Sequence, residues 1–135
     1  MTWRAALGVT LIALASPTAA ESIEGHIDHV TDGDTFAFPG LNIRICGIEA
    51  PERGAPGFDA ATQALEAIIG TKTVKCLPVG AGTICDGRSK TINRKRVVAQ
   101  CFVDDVDIGA EMVRRGHACD WRKFSGGAYP GGCVK

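Results

Sequence analysis

The chain has 135 residues, with 15 Lys and Arg against 15 Asp and Glu, so it carries no net charge when its histidines are neutral. That balance excludes a broad basic surface, and any attraction for an anionic polymer must come from a local cluster of charge. The length suits one domain with a single hydrophobic core rather than two.

Residues 1–20 carry one positive charge at Arg4, an apolar run over 5–15, and then Ser16-Pro17-Thr18-Ala19-Ala20, small residues of the kind that precede a cleavage point. This reads as a secretory signal removed after Ala20, with residues 21–135 exported to the periplasm or the medium. The apolar run is too short to span a bilayer as a helix, so no membrane anchor is expected after cleavage. All six cysteines lie beyond Ala20, and an even number in an exported chain points to as many as three disulfides. Cys119 and Cys133 bracket a Gly-rich tail with little apolar material and are the best local pair. Cys46, Cys76 and Cys101 sit in strand-like runs, where buried free thiols are the alternative.

Residues 21–30 read as a first strand leading into Asp32-Gly33, a hairpin signal because glycine accepts positive φ at no steric cost. Residues 35–38 form a second strand, Pro39-Gly40 a turn, and residues 41–48 a third strand. Its alternation places Ile43, Ile45 and Gly47 on one face and Asn42, Arg44, Cys46 and Ile48 on the other. Residues 52–59 are loop, ending at Asp59 as a helix cap. A helix follows over 60–69, with Ala61, Ala64, Leu65 and Ile68 on one face and Gly70 as its stop. Residues 71–77 return to period two as a fourth strand, 78–95 are loop with a basic end, and 97–103 form a fifth strand. Asp104-Asp105 is a turn. A second helix over 107–115 carries Arg114 and Arg115 at the negative end of its dipole and stops at Gly116. The tail from about residue 121 reads as irregular. Five short strands with two interspersed helices predict a mainly β domain with packed helices (α+β), arranged as a five-stranded OB-fold barrel.

The chemistry concentrates in residues 30–52. Asp32 and Asp34 flank a glycine, a pattern that by itself is more often a plain turn. Glu49 and Glu52, on a loop stiffened by Pro51, add further oxygens of the kind a hard cation such as calcium takes. Arg44 alone would be a partner for one of these carboxylates. With a second arginine it could clamp a phosphate and neutralise charge developing at phosphorus. Arg88, Lys90, Arg94, Lys95 and Arg96 form a cluster opposed only by Asp86, either a solvated loop or a phosphate-steering loop that supplies this second arginine. His26, His29 and His117 lack metal-ligand spacing, and no CxxC pair, Gly-x-Ser-x-Gly motif or P-loop occurs, which disfavours zinc sites, serine hydrolases and nucleoside-triphosphate enzymes.

Taken in order, Val30-Thr31-Asp32-Gly33-Asp34-Thr35-Phe36, Ile43-Arg44-Ile45, Ile48-Glu49-Ala50-Pro51-Glu52, Arg96-Val97-Val98-Ala99 and the helix around Ile108-Gly109-Ala110-Glu111 resemble the thermonuclease (staphylococcal nuclease-like) family over residues 24–120. The resemblance implies a calcium-dependent phosphodiesterase on an OB-fold barrel, cutting DNA or RNA with little sequence specificity to leave 3′-phosphate and 5′-hydroxyl ends. It implies that Asp34 and Glu49 hold Ca2+, with the Ala50 carbonyl as a further ligand, and that Asp32 supports the turn. Glu52 would orient or deprotonate the attacking water, and Arg44 and Arg96 would grip the phosphate, with Arg94 as the rival to Arg96. The family has aspartate where this chain has Glu49, and a tyrosine-glycine pair where it has Arg94-Lys95. Nucleic acid is the implied substrate, no obligate protein partner is evident, and a monomer is expected. The alternative is a non-catalytic OB-fold module that binds nucleic acid or another anionic polymer.

Overall fold

Short runs of alternating apolar residues draw most of the chain into strands, and the computed structural model describes residues 10–14 and 21–133. The signal-peptide reading therefore falls largely outside the described residues. In chain order the elements are β1 (Ile23–Gly25), β2 (His29–Asp32), β3 (Thr35–Phe38), β4 (Leu41–Ile45), β5 (Ile48–Glu49), α1 (Phe58–Ile69) and β6 (Val74–Pro78). They continue as β7 (Ile92–Asn93), β8 (Arg96–Val103), β9 (Val106–Asp107), α2 (Ile108–Arg114), β10 (Cys119–Asp120) and α3 (Arg122–Ser125). None of the described helices is long and apolar enough to cross a membrane.

The predicted first strand divides in two. Its first half, β1, pairs with β6, and its second half, β2, pairs with β3. The main sheet runs β1-β6-β8-β4-β3-β2, so these two pieces form its opposite edges although only His26-Ile27-Asp28 lies between them. A residue spans at most about 3.6 Å, so the edges must lie close together and the sheet must curl. The result is an α+β fold, mainly β, built on a curled half-barrel. β4 and β8 run parallel at its centre, with Ile43 opposite Val97 and Ile45 opposite Ala99.

The core fills the curl. Phe36, Ile43, Ile45, Leu65, Ile69, Val74, Ile108 and Met112 are fully buried, each worth about 1.5–3 kcal/mol relative to exposure. α1 contributes Ala61, Ala64, Leu65 and Ile69 to burial, and α2 contributes Ile108, Met112 and Val113. Three local expectations change. Asp59 is not the cap of α1. The cap is Gly57, in the left-handed region at φ 88°, and Asp59 lies in the first turn. The predicted third strand breaks at Gly47, whose φ of 77° turns the chain, so the alternation resets and Ile48 joins Ile43 and Ile45 in the core. Gly33 does not supply positive φ. It is a close-approach glycine, because a Cβ there would stand 2.7 Å from the Ala50 Cβ and 2.8 Å from the Ala61 Cβ.

Three disulfides, Cys46–Cys85, Cys76–Cys101 and Cys119–Cys133, use every cysteine. The tail pair forms as expected, while the free-thiol alternative for Cys46, Cys76 and Cys101 is overturned. Cys76 and Cys101 face each other across β6 and β8. Three such bonds fit an oxidising environment of the extracellular kind. The tail is more ordered than predicted: β10 pairs with β5, α3 follows it, and the buried Tyr129 donates to Asp107 Oδ2 at 2.7 Å. Asp107 also caps α2 by accepting from the Ala110 amide, so one carboxylate joins the tail to the helix.

Candidate functional site

A cleft of about 660 Å³ opens at the end of β4 and β5. Asp32, Asp34, Arg44, Glu49, Ala50 and Glu52 line it, and Arg94 and Arg96 do so from the far side of the sequence. The fold thus brings every residue expected to hold the metal, the attacking water or the phosphate into one space. Lys95 is not among its lining residues.

Asp34 is the hub. Its backbone amide donates to Asp32 Oδ1 at 3.0 Å, which ties the turn between β2 and β3. Its Oδ2 accepts from the Ala50 amide at 2.9 Å and meets Arg44 Nη2 at 3.3 Å. Its Oδ1 accepts from the Thr35 hydroxyl at 3.1 Å, and that hydroxyl in turn accepts from Arg96 Nη1 at 3.4 Å. One buried carboxylate therefore engages Arg44 directly and Arg96 through Thr35. Burial pushes the Asp34 carboxyl up to about 6, against the pull of Arg44 and the Ala50 amide.

Arg44 is tied to its own turn. Nη1 donates to the Ile45 carbonyl at 2.6 Å, and Nη2 to the Ile48 carbonyl at 2.8 Å and Glu49 Oε2 at 3.2 Å. The flat fork of a guanidinium suits this task, since two parallel nitrogens reach two carbonyls and two carboxylates at once. In this arrangement Arg44 closes the β4–β5 turn and shares its single positive charge between Asp34 and Glu49. Glu52 lies on the exposed loop after β5 and forms no ion pair among the described residues.

The donors suited to a hard cation are oxygen only. Asp34 Oδ2 and Glu49 Oε2 both approach the same arginine nitrogen, so the two carboxylates converge. A positive charge between them would favour the ionised form of Asp34, whose burial opposes ionisation. No group of three or more His, Cys, Asp or Glu side chains sits together in metal-binding fashion among the described residues. Two converging carboxylates supply only part of the 6–8 oxygens that calcium takes.

The basic side comes from other segments. β7 and β8 form a hairpin whose two turn residues, Arg94 and Lys95, have φ of 51° and 63°. This is the left-handed geometry of a tight hairpin, usually given to Asn-Gly. Arg94 and Arg96 both line the cleft, Arg96 anchored by its Nε to the Asn93 carbonyl and Arg94 exposed at the tip. In all, six cationic side chains face four carboxylates in the cleft. That is the local excess that the neutral whole chain requires.

Sequence reasoning missed Thr35, Lys123, Trp121 and Phe124. Trp121 and Phe124 meet edge to face at 4.7 Å, and Lys123 lies 5.4 Å from the Phe124 ring. The available signal was Trp121-Arg122-Lys123-Phe124, two aromatics interleaved with two cations. No family model matches the chain, and no curated protein matches it either.

Proposed function

We propose that the chain is an exported, calcium-dependent phosphodiesterase of the thermonuclease type, on a five-stranded OB-fold barrel, hydrolysing DNA or RNA with little sequence specificity. The observation that carries the reading is the Asp34 hub, which joins Arg44 and Arg96 to one carboxylate in a cleft that Glu52 also lines. Asp34, Glu49 and the Ala50 carbonyl would hold calcium, which when bound supplies positive charge beside a phosphoryl oxygen. Glu52, exposed and without an ion pair among the described residues, takes the proton of the attacking water at its carboxylate. Arg96 and Arg44 stabilise charge on the phosphoryl oxygens. The water oxygen bonds to phosphorus as the bond from phosphorus to the 5′-oxygen breaks, and that oxygen takes a proton from solvent, which leaves a 3′-phosphate and a 5′-hydroxyl.

Hydrolysis of single-stranded DNA, followed with calcium and with a chelator, tests this. The expected result is calcium-dependent cleavage with those ends, and at least about a 10²-fold loss in Glu52→Gln at unchanged stability. A folded protein that does not cleave in calcium refutes the reading. Arg44 already pairs with both carboxylates, an observation that favours a second reading: a module that binds nucleic acid without cutting it. That reading expects salt-sensitive binding, indifferent to chelator, with no turnover.

A further inference from the structure

The loop between β6 and β7 is stapled at two levels. Cys85 is fully buried in its bond to Cys46, which follows β4 directly. Asp86 then accepts from the Gly80 amide at 2.6 Å, the Gly82 amide at 2.8 Å and the Thr83 hydroxyl at 2.6 Å. The amides of Arg88 and Ser89 both donate to the Cys85 carbonyl at 3.0 Å. Arg88 therefore leaves a fixed backbone. Its nearest carboxylate in sequence is committed three times over, and its side chain forms no ion pair or hydrogen bond among the described residues.

The guanidinium nevertheless has a defined seat. A Cβ at Gly126 would stand 2.7 Å from Arg88 Cζ and Nε and 2.9 Å from Nη2, so Arg88 lies flat on the bare backbone that ends α3. Gly126 itself has φ 68°, in the left-handed region. Arg88 lines the cleft there beside Lys90, Lys123 and the Trp121–Phe124 pair. A cleft of about 660 Å³ is far larger than one phosphate group needs and falls in the range that takes a drug-sized ligand.

We infer that Arg88 binds a second phosphate of the nucleic-acid chain, in the same cleft as the one assigned to Arg96 and Arg44, and that Gly126 positions Arg88 for this task. The inference rests on the nucleic-acid reading above but not on catalysis. An exposed guanidinium with no carboxylate partner among the described residues keeps its charge for an anion, and its seat on Gly126 limits the freedom it would lose on binding.

The test is fluorescence anisotropy of a labelled single-stranded DNA oligonucleotide in chelator, where nothing is cut, over a salt series. Arg88→Ala should weaken binding about fivefold near 100 mM salt and lower the slope of log affinity against log salt by about 0.7. Arg88→Gln, which keeps the length and loses the charge, should behave alike. Gly126→Ala should lose part of that affinity in the wild-type background and none in the Arg88→Ala background, as expected of coupled neighbours. An unchanged slope in both Arg88 variants overturns the inference, as does a wild type that does not bind. Equal losses from Gly126→Ala in both backgrounds overturn the positioning role. Binding with the Arg88 effect but no cleavage in calcium would sink the nuclease reading and keep the subsite. Cleavage with no Arg88 effect would do the reverse.

Discussion

At one end of the cleft, the side chains of Arg44, Asp34 and Glu49 are 12%, 10% and 17% exposed and pair with one another. At the other, Arg88, Lys90 and Arg94 are exposed and form no ion pair among the described residues. The buried end gains little net energy from its charges, because desolvation offsets most of their attraction. What it gains is geometry, since four contacts of one guanidinium fix the β4–β5 turn. The exposed end has no such internal order and is held by covalent and backbone ties instead. Its charge reaches into solvent over about 10 Å at 0.1 M salt. Fixed geometry and long-range attraction thus reside in different segments, and they can be broken separately.

The largest expected effect is at the buried end. Arg44→Ala strands two carbonyls and two carboxylates, and should cost about 3–5 kcal/mol in urea unfolding. Arg44→Lys keeps the charge but not the fork, and should recover less than half of that. A loss below about 1 kcal/mol would mean that Arg44 does not order the turn.

At the basic end, replacing Cys46 and Cys85 together by serine opens a closure of 39 residues, worth about 4 kcal/mol in the chain-entropy account. Oligonucleotide affinity should fall as it does in Arg88→Ala, because Arg88 loses its fixed origin. Retained affinity in the folded double variant would show that the staple does not position the loop.

The smallest effect is a pH profile. Asp34 is raised from 3.8 to about 6 in the folded protein, so the native state binds its proton more tightly than the unfolded chain does. Its contribution to stability is full below about pH 4 and is lost as pH rises through 4 to 6. Asp86, held down chiefly by the Thr83 hydroxyl, and Glu111, held down chiefly by Arg114, are both lowered to about 2 and act with the opposite sign at lower pH. Thermal melts in chelator from about pH 4.5 to 7 should therefore show a falling midpoint that flattens in Asp34→Asn. Calcium affinity should rise over the same range, since the ion needs the carboxylate. A wild-type profile matching that of Asp34→Asn would break the assignment.

The buried end was legible in the sequence because its residues lie on two turns close together in the chain, each marked by glycine or proline. α2 was legible for a similar reason, with Asp107 as its cap and Gly116 just beyond its end. The basic end was legible only as a list of charges. Its arrangement depends on β10 reaching β5, where Cys119 meets Glu49 and Asp120 meets Ile48. A bridge of two residues leaves no periodic trace, so neither the approach of Trp121 and Phe124 nor the seat of Arg88 on Gly126 could be read. Gly33 was read correctly as a turn residue but for the wrong reason: its constraint comes from Ala61 on a helix many residues away.

The Arg94-Lys95 turn has a consequence for anyone engineering this protein. Two residues with side chains sit in the left-handed region, at about 1–2 kcal/mol each relative to glycine-like freedom. A screen for heat resistance would favour Arg94→Asn and Lys95→Gly, the pair that this turn geometry prefers. The same exchange would remove a cation from the cleft, so selection for robustness alone would drift toward a sturdier protein with a weaker hold on the anionic ligand proposed for it.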